Sequence, residues 1–84
     1  MYEISKNFGS KTIKSDQELV LNVSTGQIYI LNDVSAIIWL GIKKRASYKE
    51  ILDSILDVYD IPRKIAQNDL SDFINSLKSK GFLE

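Results

Sequence analysis

The spacing of apolar residues changes character at Asn32, and that change constrains the fold more than any other feature of the chain. Before it, apolar residues come in short runs rich in β-branched and aromatic types. Leu19, Val20, Leu21 and Val23 lie within Gln17–Val23, and Ile28, Tyr29, Ile30 and Leu31 lie within Gln27–Leu31. Such residues suit a pleated surface, so both segments are expected strands. Ser24-Thr25-Gly26 joins them, and a short connection ending in glycine fits a hairpin whose last turn residue is left-handed. With Gly26 as a bulge, the expected register sets Leu21 opposite Tyr29 and Leu19 opposite Leu31. Those four residues and Val23 then share one face, and Val20, Asn22, Ile28 and Ile30 share the other. An earlier strand is expected over Ser10–Lys14, with Asp16-Gln17 in the turn that follows.

After Asn32 the apolar period is helical. Asn32 is a suitable N-cap for a helix from Asp33 to about Lys44, with Asp33 favourable near the positive end of the helix dipole. Val34, Ile37, Ile38 and Ile42 recur at helical spacing beside Trp39. Lys43, Lys44 and Arg45 close that helix where positive charge is favoured. Ser47 and Glu50 form the Ser-x-x-Glu pattern of a capping box ahead of Ile51, Leu52, Ile55, Leu56 and Tyr59. Asp60-Ile61-Pro62 breaks the chain, and Pro62 is expected as the first residue of a third helix. That helix carries Ile65, Ala66, Leu70, Phe73, Ile74 and Leu77 on to Lys80. Gly81 is its natural stop, and Phe82 is expected to fold back onto the last turn.

Strands segregated before helices give an α+β fold, a three-stranded antiparallel sheet followed by three helices. The tight turn before Pro62 makes the last two helices resemble a helix-turn-helix. With 84 residues, the chain is expected to be a single domain spanning 1–84. It contains no cysteine and no histidine. Thiol nucleophiles, thiolate metal sites and imidazole acid–base chemistry are therefore excluded together. No nucleophile–base constellation remains, so the chain is not expected to be an enzyme or to hold a cofactor or metal. Eleven basic residues balance eleven acidic ones, so no bulk field draws it to nucleic acid or to an anionic membrane. Met1 to Phe8 lacks the pattern of a signal peptide, and the apolar stretch Ile37–Ile42 is far too short to span a bilayer. A cytoplasmic protein is expected.

Residues 19–40, LVLNVSTGQIYILNDVSAIIWL, run from apolar residues into Thr-Gly, an aromatic-bearing strand, Leu-Asn, and a helix with alanine and Ile-Trp. Tyr48–Tyr59, YKEILDSILDVY, follows, then Asp69-Leu70 and a Leu77–Leu83 ending, LKSKGFL. In order and spacing these phrases resemble the PqqD family over roughly residues 17–84. Ser35 stands where a glycine is common in that family. The resemblance implies a winged helix-turn-helix that binds leader peptides of ribosomally synthesised and post-translationally modified precursors. It implies that the leader lies as an added strand in a groove between the third strand and the third helix. It further implies a peptide chaperone serving a separate enzyme, such as a leader protease, a cyclase or a radical enzyme. A lasso-peptide system is favoured because short free-standing members serve such systems.

The residues agree with that mechanism independently. In a meander, Gln27, Ile28, Tyr29, Ile30 and Leu31 form an edge strand without charge or proline. Proteins usually blunt such edges, and an open one suits strand addition. The competing reading packs Ile28 and Ile30 under the N-terminal segment. On the third helix, Ile65, Asp69, Asp72 and Ser76 share a flank with Phe73 at its boundary, and this flank is expected to face the peptide. Asp69 would then meet a basic peptide residue, although both aspartates also read as ordinary solvated carboxylates. An open edge can also pair with itself, so the chain is expected as a monomer or an edge-strand dimer. Trp39 reads as core rather than as a binding platform. Asp53 and Asp57 read as a solvent face, since nothing converges on them.

The alternative class is a winged-helix DNA-binding regulator. Arg63, Lys64, Gln67 and Asn68 open the third helix with side chains of the type that read base edges. Asp69 and Asp72 on the same helix, the zero net charge and the uncharged Ser24-Thr25-Gly26 tip weigh against it.

Overall fold

The computed structural model describes residues 2–84; Met1, at the start of the expected 1–84 domain, lies outside them. Strands β1 (Phe8–Lys14), β2 (Gln17–Asn22) and β3 (Ile28–Asn32) precede helices α1 (Val34–Lys43), α2 (Tyr48–Val58) and α3 (Arg63–Ser79). The sheet is an antiparallel meander in the order β1-β2-β3, so β3 is an edge strand. The fold is the expected α+β winged helix-turn-helix. No helix among the described residues is long and apolar enough to cross a membrane.

Each helix is delimited by its own chemistry. The Ser47 hydroxyl accepts from the Glu50 amide at 3.2 Å while the Glu50 carboxylate accepts from the Ser47 amide at 2.9 Å, a complete capping box. Both oxygens thereby satisfy amides that the first turn leaves unpaired. The Glu50 carboxyl is held below its ordinary value, first by that bond to the Ser47 backbone and then by the Ser47 hydroxyl. At the end of α3, Gly81 sits at φ 80°. Its amide donates to Lys78 O at 3.2 Å, and the Phe82 amide donates to Leu77 O at 2.9 Å. That is a Schellman closure, and it turns Phe82 back into the protein.

Trp39, Val20, Ile55, Ala66 and Leu70 are wholly buried, and Ile38, Ile42 and Ile51 nearly so. Trp39 is core, as its place on α1 suggested. The Phe82 ring stacks on Phe8 at 4.1 Å and meets Tyr29 and Trp39 edge-on at 5.1 and 6.1 Å. The N-terminal segment straps the C-terminus down. Ile4 pairs with Leu83 in an isolated bridge, and Ser5 donates to Phe82 O at 2.8 Å.

Three local expectations need correction. The β2–β3 register is one residue off the expected one: Leu21 faces Ile28, Val20 faces Tyr29 and Leu19 faces Ile30. The cause is Asn22. Its side-chain oxygen accepts from the amides of Ser24 (3.0 Å) and Thr25 (3.3 Å), and its carbonyl accepts from Gly26 at 2.7 Å. This Asx-type closure takes Val23 into the loop, which becomes four residues rather than three. A slip of one residue exchanges faces. Val20, Tyr29 and Leu31 therefore turn toward the helices, and Leu19, Leu21, Ile28 and Ile30 turn to the outer face.

The second correction concerns α1. Asn32 is the last residue of β3, not a cap, and its side-chain oxygen accepts from Gln17 Nε2 at 2.9 Å. Asp33 occupies the cap at φ 55° without a side-chain cap bond, and its amide donates to Asp16 O at 2.9 Å. The sheet ladder thus claims the residues that the helix pattern alone assigns to a cap. Third, Pro62 is the N-cap of α3 rather than its first helical residue, accepting from the Ala66 amide at 3.1 Å.

Candidate binding groove

β3 presents an unpaired backbone edge whose polarity follows from its ladder. Asn22 donates to Gln27 O at 2.9 Å, and Asp33 donates to Asp16 O at 2.9 Å. Bonded pairs alternate along an antiparallel ladder. The pairs Val20–Tyr29 and Glu18–Leu31, lying between those two bonds at even steps, are therefore the bonded ones. Tyr29 and Leu31 spend their amides and carbonyls on β2. Ile28, Ile30 and Asn32 direct theirs outward, where no strand lies among the described residues.

Beside that edge runs a groove between β3 and α3. One recess of about 230 Å³ is walled by Tyr29 and Leu31 on the strand side and by Phe73, Leu77 and Lys80 on the helix side, with Phe82 at its base. A second recess of about 380 Å³ is lined by Val34, Ser35 and Ile38 of α1 and by Asp69 and Asp72 of α3. Phe73 and Ser76 line both recesses, so the two adjoin along α3 and together make up the channel. Its middle is aromatic and aliphatic, one end carries two carboxylates and the other an ammonium group. Asp69, Asp72 and Lys80 are exposed, and none of them joins an ion pair among the described residues.

The structure brings together Tyr29, Leu31, Asp69, Asp72, Phe73 and Ser76 of the residues singled out in the sequence. It does not bring the side chains of Ile28, Ile30, Gln27 or Ile65 to the walls. Ile28 and Ile30, 59% and 46% exposed, lie on the outer sheet face and can offer the groove only their backbone. Gln27 precedes the strand, and its carbonyl is taken by Asn22. Ile65 lies a turn before Asp69, exposed and outside both recesses. Sequence reasoning missed Val34, Ser35 and Ile38, whose helical spacing reads equally well as pure core. It also missed Lys80 and the part Phe82 plays at the base, although Gly81 announces the turn that places them.

The first residues of α3 are occupied differently. Arg63 reaches Asp53 at 3.7 Å, and Asp53 also holds Lys49 at 3.1 Å. A further missed group is Glu18, 1% exposed on β2. One of its carboxylate oxygens meets Lys43 Nζ at 3.5 Å, and the other has no partner among the described residues.

The family described as coenzyme PQQ synthesis protein D (PqqD) matches residues 18–83. Among solved structures, the chain is similar to TbiB1 in complex with the TbiA(beta) leader peptide, with 32% identity and a TM-score of 0.85 over 98% of this chain and 94% of that one. It is also similar in fold to lasso peptide synthetase B1 complexed with the leader peptide, with 19% identity and a TM-score of 0.83 over 99% and 96% of the two chains. None of the curated proteins matches it.

Proposed function

The chain belongs to the PqqD family, and from that premise and the groove we infer that it binds the leader of a ribosomally made precursor peptide by strand addition. The observation that carries this reading is the open β3 edge lying directly beside an apolar channel. The leader continues the antiparallel order of the sheet on β3. Its backbone bonds to Ile28, Ile30 and Asn32, and its alternate side chains enter the channel against Tyr29, Leu31 and Phe73. Asp69, Asp72 and Ser76 flank those side chains. Each backbone bond contributes about 0.5–1.5 kcal/mol net, so the three edge residues supply affinity and the channel supplies choice.

Residues 1–84 act on this reading as a single recognition domain without catalysis of its own. It works in the cytoplasm and presents the leader to a separate tailoring enzyme, a leader protease of a lasso-peptide system by preference. The resemblance to TbiB1 in complex with a leader peptide supports leader binding. The free protein is a monomer, or a dimer in which two β3 edges satisfy each other until a leader displaces one.

The test is titration of fluorescently labelled synthetic leaders of candidate precursor peptides, followed by anisotropy. Saturable one-to-one binding that unlabelled leader reverses is expected. Absence of binding, with saturable binding to duplex DNA instead, contradicts the reading.

A further inference from the structure

We propose that the channel reads the order of charges in the leader, not only its apolar residues. The preferred leader carries a basic residue, an apolar residue two positions later and an acidic residue two positions beyond that. This deepens the strand-addition reading and rests on it.

The channel is electrically polar along its length. Asp69 and Asp72 line the recess at the Val34 end, and Lys80 lines the recess at the Tyr29 end. All three charges lack an internal counter-ion among the described residues. The neighbouring cation Lys78 is turned elsewhere, lying 5.6 Å from the Tyr2 ring centre, and among the described residues Lys80 is the charged one lining that recess. A strand added antiparallel to β3 enters beside Val34 and leaves beside Tyr29. Its N-terminal part therefore meets the two carboxylates and its C-terminal part meets the ammonium group.

The spacing follows from the geometry of the two walls. The rise to Lys80 is about 12 Å from Asp72 and about 16 Å from Asp69 at 1.5 Å per helical residue. An extended strand covers that range in about four to five residue steps at 3.3 Å each, of which four is the even number. Only alternate side chains point into the channel, which leaves positions i, i+2 and i+4 for the basic, apolar and acidic residues. The middle position falls on Phe73, which is shared by both recesses. Charge pairs of this kind set direction and register more than raw affinity. A leader entering the wrong way round would bring like charges together at both ends.

The experiment is selection of binders from a displayed library of random 12-residue peptides on the whole protein and, in parallel, on the double variant Asp69→Lys, Asp72→Lys. Circular dichroism checks that the exposed substitutions leave the fold intact. Selected peptides are mapped by amide shifts on the protein. The expected result is enrichment of basic–x–apolar–x–acidic peptides on the parent and loss or reversal of the basic preference on the variant. Resynthesis of one binder with its two charges exchanged is expected to weaken it about tenfold. Binders that shift β3 amides but show no charge order overturn the inference and leave strand addition standing. Binders that map elsewhere, or a library that yields none, overturn both.

Discussion

Two adjacent proline substitutions on β3 should have opposite consequences. The Leu31 amide is spent on the ladder with β2, whereas the Ile30 amide faces the open edge. Proline removes the donor in either case. For Leu31→Pro the lost bond leaves its β2 partner unpaired beneath the helices, a cost of about 2–3 kcal/mol. For a domain this small that lowers Tm by roughly 10–20 °C. Ile30→Pro breaks no internal bond. Its side chain is 46% exposed, so truncation forfeits about 1 kcal/mol of burial, a fall of roughly 4–8 °C. Proline on an outward-facing edge position is otherwise tolerated. Leader binding responds in the other sense. Ile30→Pro removes one edge bond of about 1 kcal/mol and places its ring in the path of the incoming backbone. A ten- to thirtyfold loss of affinity is expected. Thermal denaturation and leader anisotropy on both variants measure the two effects separately. A folded Ile30→Pro variant that binds leader with the parent's affinity would refute the strand-addition geometry.

Three other substitutions probe the scaffold. A Cβ at Gly41 would lie 2.7 Å from Ile51 Cγ1 in the α1–α2 contact. Gly41→Ala should therefore lose about 1–2 kcal/mol despite the better helix propensity of alanine, read by urea denaturation. Glu18→Met should gain about 1 kcal/mol by the same assay, because a buried carboxylate with one unpartnered oxygen is exchanged for an apolar side chain of similar length. The Glu50 carboxyl is lowered from its ordinary 4.5 by the Ser47 bonds. A lowered folded-state value stabilises fully above pH 4.5 and is lost as pH falls through that lower value. The stability advantage of the parent over Glu50→Gln should accordingly be present at neutral pH and be lost as Glu50 is protonated in acid; an advantage that does not change while Glu50 titrates contradicts this.

The architecture was legible where local chemistry and the apolar period agree. The capping box at Ser47 and Glu50 and the glycine stop at Gly81 speak for themselves. The edge position of β3 followed from meander order alone. The register was not legible, because Asn22 looks like an ordinary strand residue until its side chain is seen closing the hairpin. That single residue decides which face of β3 meets the helices. The sequence reading accordingly named all of Gln27–Leu31 for the peptide and put Tyr29 on the face of Leu19 and Leu21, whereas Tyr29 and Leu31 line the recess and the Ile30 side chain lies on the outer face. On α3, helical angles alone put Asp69, Asp72 and Ser76 on one flank with Phe73 at its boundary, and all four line the recesses. Val34, Ser35 and Ile38 escaped notice because a helix facing both a core and a groove shows one continuous apolar stripe.

Hydrogen exchange of individual β3 amides, with and without leader, tests the central claim most directly. In the free monomer the amides of Tyr29 and Leu31 should be protected and those of Ile28, Ile30 and Asn32 should exchange freely. Leader binding should protect that second set in its alternating pattern. If Ile28, Ile30 and Asn32 exchange as freely in the saturated complex as in the free protein, the leader does not add to β3 and the account is wrong.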